Sequence, residues 1–298
     1  MPDDFDLGIA SDQLLVGDAI SKGAKALPDS NSPRLDARVL LKFALQTDDA
    51  GLIGRSRERL SEQEIERFAH LIRRRQKGEP VAYITGVKEF WSLEFAVDQS
   101  VLIPREDSEC LIETVLARRQ RTENLRIADL GTGSGCLICA LISEFPQAQG
   151  VAVDLSPGAV KMARTNAAKN ALADRIEILE GSWTEPLRGQ FDVIIANPPY
   201  ISDEEAKELS ADVIDYEPSS ALLGGHDGLD PYRVVLREIN DKLTSDGLLV
   251  FECGYRQTDA LAQLVRDFDG NYPVFTINDL SGRPRGVGLD RRKGQKKD

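Results

Sequence analysis

The chain has 298 residues, room for two domains at roughly 150 residues each, and its 41% hydrophobic and 29% charged content excludes wholesale disorder, a collagen-like repeat and a long coiled coil. Its 37 basic against 49 acidic side chains leave a net charge of −12, which repels a phosphate backbone, so direct nucleic-acid binding is not expected. No apolar run reaches the roughly 18 to 20 residues of a membrane span, and the start MPDDFDLGIA is acidic where a targeting peptide is basic.

A cytoplasmic protein without a membrane partner is therefore expected, and the four cysteines suit a reducing compartment. Cys136 and Cys139 form a C-x-x-C, but with no second pair and only His70 and His226 beside them a structural zinc site lacks ligands, so no metal is expected. The pair reads as small buried hydrophobes where a helix packs on a sheet; a redox pair is the alternative.

Residues 1–77 read as a small helical domain. Apolar residues recur at helical spacing from Leu14 to Leu27 and from Leu35 to Leu45, with Ser32-Pro33 giving an N-cap and first-turn pattern. Ser61 and Glu64 fit a capping box that opens a third helix toward Arg75. The basic cluster Arg73, Arg74, Arg75, Lys77 reads as the solvated end of that helix, where cations suit the dipole.

Residues 78–106 change character, with short runs at Val81–Ile84 and Phe90–Val97 around Gly86, and predict a β-hairpin connector. Residues 107–290 alternate helical segments with short apolar runs at 126–130, 150–154, 176–179, 191–196 and 247–252. That order predicts an α/β domain with a parallel, doubly wound sheet. The basic stretch Arg291–Asp298 reads as a frayed, solvated tail.

Asp129-Leu130-Gly131-Thr132-Gly133-Ser134-Gly135 follows a predicted strand and precedes a predicted helix, where a tight glycine turn lets a ligand approach the backbone. Its spacing is G-x-G-x-G, which fits neither the dinucleotide fingerprint nor a phosphate-binding P-loop. Nineteen residues beyond Gly135 the next strand ends at Asp154, whose carboxylate can accept two hydrogen bonds from a ribose diol. The plainer role for Asp154 is to cap the helix that follows Ser156-Pro157.

The most specific signal is Asn197-Pro198-Pro199-Tyr200, directly after the apolar strand 191–196. Each proline fixes its own φ and removes a donor, and the residue before it is pushed to extended geometry. The result is a stiff loop of carbonyls at the sheet edge where ligands bind. Such a loop suits methylation of a planar nitrogen: the Asn197 side-chain carbonyl and the Pro198 backbone carbonyl can accept its two N–H bonds and stabilise the developing positive charge, while Tyr200 packs on the flat group. An ordinary strand-ending turn is the alternative.

These residues resemble the release factor glutamine N5-methyltransferase family, PrmC, also called HemK. The resemblance runs over nearly the whole chain. It includes GEPVAYITGVKEFWSLEF at 78–95, LIPREDSE at 102–109, YEPSSALLGGHDGLDPYR at 216–233 and SGRPRGVGLDR at 281–291, besides the two motifs above. It implies a helical N-terminal domain joined by a hairpin to a Rossmann-like class I methyltransferase domain, with S-adenosylmethionine as cofactor. It further implies that Gly131, Thr132, Gly133, Ser134 and Gly135 line the methionine and ribose portion, that Asp154 holds the ribose hydroxyls and that Trp183 packs at the adenine. For Trp183 a core aromatic is the alternative.

By the same resemblance Asn197, Pro198, Pro199 and Tyr200 hold the substrate glutamine, with Asn197, Pro198 and Tyr200 catalytic and Asn197 also reaching the cofactor. The implied partner is a peptide-chain release factor, modified on the glutamine of its Gly-Gly-Gln motif and docked by the N-terminal helices and hairpin of a monomeric enzyme. Ser182 stands where an acidic residue often precedes the Trp, Ser108 where Thr is frequent, and Cys136 and Cys139 where small aliphatics are usual. The same chemistry on a large-subunit ribosomal protein is the second reading. A DNA adenine methyltransferase is disfavoured by the charge and by the lack of an inserted recognition region, and a non-catalytic binding protein by the intact tetrapeptide.

Overall fold

A computed structural model describes residues 14–208 and 211–293; the acidic start and the last five residues of the basic tail lie outside the described residues. The chain divides into two compact units, Met1–Gly86 and Val87–Asp298.

The first unit is helical: α1 (Val16–Lys25), α2 (Pro33–Leu45), α3 (Asp49–Gly54), α4 (Glu62–Gln76) and α5 (Val81–Thr85). Its core gathers Val16, Ala37, Leu40, Leu41, Phe68 and Ile72, the apolar stripes of three helices turned toward one another. The α4 capping box forms as its sequence predicts: Ser61 Oγ accepts from the Glu64 N–H and Glu64 accepts from the Ser61 N–H at 2.8 Å. Ser32, by contrast, makes no side-chain cap bond; its hydroxyl donates to Asp36 at 3.0 Å instead.

Two expectations for this unit are corrected. Val81–Ile84, read as part of a hairpin, is the helix α5, closed by Gly86 at φ +73°. Five residues are too few for period 2 and period 3.6 to separate, and Tyr83 and Ile84 are buried in the helical setting. Nor is the basic cluster simply solvated: Arg75 donates to Asp36 at 2.8 Å with its side chain only 16% exposed, and Arg74 donates to Glu79 at 2.7 Å.

The second unit opens with the hairpin β1 (Val87–Phe90) and β2 (Leu93–Ala96), joined by Trp91 and Ser92 at φ +53° and +57°. A two-residue turn with both φ positive matches strand twist and ordinarily takes Asn or Gly. Here two hydrogen bonds hold Trp91 in it, from its N–H to Glu109 and from its indole to Glu144. There follow α6 (Glu109–Leu116), β3 (Arg126–Leu130), α7 (Cys136–Glu144), β4 (Gln149–Asp154), α8 (Pro157–Lys169), β5 (Ile176–Glu180), β6 (Phe191–Ala196), α9 (Ala211–Tyr216), α10 (Asp230–Glu238), β7 (Leu243–Glu252), α11 (Thr258–Phe268), β8 (Val274–Asn278) and β9 (Pro284–Asp290).

The seven-stranded sheet has the order β5-β4-β3-β6-β7-β9-β8. β5, β4, β3, β6 and β7 are parallel, whereas β9 pairs antiparallel with β7 and β8 antiparallel with β9. The parallel sheet expected from the sequence forms over these five strands, and the antiparallel edge is an addition to it: β9 carries Pro284, Gly286 and Gly288, which mask a strand pattern. Alternate strand residues feed two cores, Ile127, Val193 and Leu248 on one face and Leu130, Ile194 and Leu249 on the other. Order reverses between β3 and β6, which opens a crevice at their carboxyl ends. The expected frayed tail is corrected at its start, because Arg291 is buried, bonding Asp269 and the Leu243 carbonyl, and Arg292 pairs with Glu123.

Candidate active site

The loop after β3 wraps the start of α7 with Gly131, Gly133 and Gly135 at φ +73°, +55° and +80°, a left-handed series that residues with a Cβ adopt at a cost. Its backbone is pinned from three sides. The N–H groups of Gly131 and Thr132 donate to the Val153 carbonyl, Thr132 Oγ1 donates to Asp129 at 2.6 Å, and Asn166 Nδ2 donates to the Ser134 carbonyl. Gly135 has a steric reason as well, since a Cβ there would lie 3.2 Å from that of Ala163, whereas one on Gly131 would only touch the Trp183 ring at 3.4 Å. A Cβ on Gly133 would meet nothing within 4 Å, because that glycine faces the cavity.

That cavity, of about 340 Å³, lies at the crevice between the β3 and β6 ends and is in the size range of small-molecule sites. It brings together Gly131, Thr132, Gly133, Ser134, Asp154, Trp183, Asn197 and Pro199 among the sequence-predicted residues. Gly135, Pro198 and Tyr200 are not among its walls: Gly135 is the N-cap of α7, Pro198 is buried, and Tyr200 is half-buried with its carbonyl held by Gln257 Nε2 at 2.7 Å.

Asp154 ends β4 with both carboxylate oxygens engaged, Oδ2 by the Gly133 N–H at 2.8 Å and Oδ1 by the Ser156 N–H at 2.9 Å. The helix cap is made by Ser156, which accepts from the Ala159 N–H. A carboxylate oxygen has a second lone pair, so Asp154 keeps acceptor capacity toward the cavity for a diol. Trp183 stands across the loop at φ +44°, with Ser182 beside it and Leu155, exposed, beyond Asp154. A flat apolar wall, an acceptor pair and a bare backbone cradle are the parts of a nucleoside pocket.

Asn197 follows the last residue of β6 and donates from Nδ2 to Ser108 Oγ at 3.3 Å. Ser108, Pro104 and Arg105 come from the segment before α6, and Pro218, Ser220 and Ala221 from the segment after α9; both segments wall the cavity. Arg105 is ion-paired with the buried Glu217, which ties one wall to the other. Sequence reasoning singled out the wall residue Ser108 only as a departure and missed Glu217 behind the wall; the sole signal was that each falls in a block of the resemblance.

Two buried carboxyls flank the site. Burial pushes Asp129 up to about 7, against the pull of the Thr132 hydroxyl, and pushes Glu252 up to about 7, against the pull of Ser108, Arg285 and Asn197. Burial likewise raises the Cys136 thiol to about 12 and that of Cys139 further, so both are neutral at physiological pH. Among the described residues no group of three or more His, Cys, Asp or Glu is arranged to hold a metal, and no helix is long and apolar enough to cross a membrane.

Residues 18–86 match the PrmC N-terminal domain family and residues 106–220 the methyltransferase small domain family. A release factor glutamine methyltransferase of Bradyrhizobium diazoefficiens is 42% identical over 85% of this chain and 86% of its own length. One of Koribacter versatilis is 40% identical over 87% of this chain and 91% of its own. The chain belongs to the release factor glutamine methyltransferase family. It also matches a bifunctional methyltransferase of Rickettsia felis at 37% identity over 86% of its length, but spans only 54% of that relative. Among solved structures, the catalytic domain of hMettl16 in complex with the MAT2A 3'UTR hairpin 6 has a TM-score of 0.50 at 13% identity, covering 78% of this chain and 82% of that one, a likeness of fold alone. Residues 106–220 thus carry the methyltransferase small domain, and the cavity sits at the strand-order reversal of the sheet.

Proposed function

We propose that this chain transfers a methyl group from S-adenosylmethionine to the side-chain amide nitrogen, N5, of the glutamine in the Gly-Gly-Gln motif of peptide-chain release factors. The observation that carries this is the tetrapeptide Asn197-Pro198-Pro199-Tyr200 at the carboxyl end of β6, whose Asn197 and Pro199 line the same cavity as the glycine loop and Asp154.

S-adenosylmethionine supplies, when bound, an electrophilic methyl group on a sulfonium. Gly131, Thr132, Gly133, Ser134 and Gly135 form the cradle for its methionine and ribose portion, with Gly133 leaving the space a Cβ would fill. Asp154 accepts the ribose hydroxyls and Trp183 packs at the adenine. Asn197 Oδ1 and the Pro198 carbonyl accept the two N–H bonds of the substrate amide, which aims its nitrogen at the methyl and favours the charge that grows on it. Pro199 stiffens the loop and Tyr200 packs on the amide plane. No strong base is needed, since a methylated amide nitrogen becomes acidic and sheds its proton to water.

The partner is the release factor itself, a protein, docked by the N-terminal helices and the hairpin. The enzyme acts as a cytoplasmic monomer and touches no nucleic acid directly, in keeping with its −12 charge. The test is mass spectrometry of purified release factor and of large-subunit ribosomal proteins after separate incubation with the enzyme and S-adenosylmethionine. The expected result is one methyl increment on the Gly-Gly-Gln glutamine, absent with Asn197→Ala; an increment on a ribosomal protein alone would move the substrate and keep the chemistry.

A further inference from the structure

Glu252 is the last residue of β7, and the parallel register that pairs Ala196 with Phe251 sets Asn197 beside it. It is only 2% exposed, and its Oε2 has no hydrogen-bond partner. Its backbone is fixed: Tyr232 donates its hydroxyl to the Glu252 carbonyl at 2.6 Å, and the next residue, Cys253, donates its N–H to the Arg285 carbonyl. A buried acid with a spare oxygen is costly to the fold, and Ser108 and Asn197 are the polar side chains near enough to favour its ionised form.

The chemistry of an amide makes that neighbour decisive. Asn carries a donor end and an acceptor end of almost equal size, and only its partners decide which way it turns. An ionised carboxylate can only accept, so it requires the Asn197 NH2 to face it, and Ser108 takes a bond from the same nitrogen.

We propose that Glu252 is a positioning residue for methyl transfer: its carboxylate, buried behind Asn197, holds the Asn197 amide with Nδ2 turned inward and Oδ1 turned to the substrate nitrogen. This rests on the glutamine-methylation reading above and names what sets its geometry. Ionisation of Glu252 then governs the orientation, because a protonated carboxyl can donate and so tolerates the reversed amide.

Among the groups facing Glu252 none titrates near neutrality, and Asp129, likewise pushed up to about 7, lies two strands away on β3, so the Glu252 variants tell the two apart. Arg285 on β9 and Asp107 before α6 are already paired with each other at 2.5 Å. The thiols of Cys110, Cys136 and Cys253 are each pushed up to about 12 by burial, and the phenols of Tyr200 and Tyr232 are raised by burial as well. Glu252 itself is moved to about 7 by burial.

The test is steady-state methylation of release factor by the full chain, wild type, Glu252→Gln and Glu252→Asp, from pH 6 to 8.5, with thermal melts and S-adenosylmethionine binding beside it. Gln has nearly the same shape but can donate as well as accept, so it permits both amide orientations. For wild type kcat is expected to rise roughly tenfold from pH 6 to 8, following the ionised fraction of a group near 7. Glu252→Gln is expected to lower kcat at pH 8 about tenfold or more, to flatten the pH profile, and to leave cofactor binding and Tm no worse than wild type. Glu252→Asp keeps an acceptor-only group and should keep the rise with pH.

A Glu252→Gln enzyme with wild-type kcat and wild-type pH profile overturns the proposal, and so does a slow variant that keeps the same rise. Should Glu252→Gln fail to fold, a pH-independent kcat in both wild type and Glu252→Asp overturns it. A wild type that methylates no release factor overturns the underlying reading first, which separates the two failures.

Discussion

Asn197 and the glycines show how one atom separates binding from chemistry. Removing the Asn197 side chain deletes an acceptor that matters most as positive charge grows on the substrate nitrogen, so Asn197→Ala should cost about 3 kcal/mol in the transition state, a hundredfold or more in kcat. The cradle and Asp154 are untouched, so calorimetric S-adenosylmethionine affinity should change less than about threefold; a kcat within a factor of a few of wild type would remove Asn197 from the proposed chemistry. The glycines divide differently. Gly133→Ala puts a methyl into open cavity at φ +55°, whereas Gly135→Ala drives one toward Ala163 at 3.2 Å and φ +80°. The left-handed backbone costs each about 1 kcal/mol, but only Gly135→Ala adds a clash inside the protein. We expect Gly133→Ala to weaken cofactor binding with only the few-degree Tm loss of its backbone strain, and Gly135→Ala to lower Tm further. Equal Tm losses would show that the cavity is not what Gly133 serves.

The elements carry a second lesson, about what a sequence can announce. The β3 loop and the tetrapeptide after β6 were legible because each is a contiguous run whose backbone demands show in the residue types: glycines for left-handed turns, prolines for a donor-poor loop. The α4 capping box was legible for the same reason. Glu252, Ser108 and the Arg105–Glu217 pair were not, because their partners are distant in sequence; Ser108 and Asn197 stand 89 residues apart and meet only once the sheet forms. The β8–β9 edge escaped because glycines and a proline hide its alternation, and α5 because five residues show no period. Asp36 belongs to this class: from α2 it accepts Arg75 of α4 at 2.8 Å and the hydroxyls of Ser30 and Ser32. Asp36→Ala would leave a mostly buried guanidinium without its partner and is expected to destabilise the helical unit by about 2 to 3 kcal/mol in urea titration. A loss below about 0.5 kcal/mol would mean the pair behaves like an exposed one.

At the scale of the whole molecule, charge ties stability to pH in a direction set by two buried acids. Asp129 and Glu252 are raised in the fold, each to about 7, from ordinary values of 3.8 and 4.5. For an acid raised in the folded state, the unfolded chain ionises more readily, so stability is full below the unfolded value, declines as pH rises through the window from about 4.5 to about 7, and is level above it. For Glu252 a move from 4.5 to about 7 is worth on the order of 3 kcal/mol. Asp227, Glu64 and Glu123 are lowered, Asp227 to about 2 chiefly by the Arg233 hydrogen bond, and their contribution is lost only on the acid side of that window. The −12 net charge adds a second decline of the same sign, since repulsion grows as pH moves above a pI near 4.8. Salt distinguishes the two. Added salt screens the general repulsion of exposed charges but hardly reaches two acids buried in the sheet. The cofactor-free enzyme should therefore lose Tm steadily from pH 5.5 to 7.5 and level off by pH 8.5, with the loss persisting in 0.5 M salt, a condition of about 4 Å screening length. Glu252→Gln should recover much of that loss at pH 8 while it lowers kcat, because the charge that orients Asn197 is the charge the fold is least suited to hold. A pH decline that vanishes in salt would place its origin on the surface and leave the buried acids with no such cost.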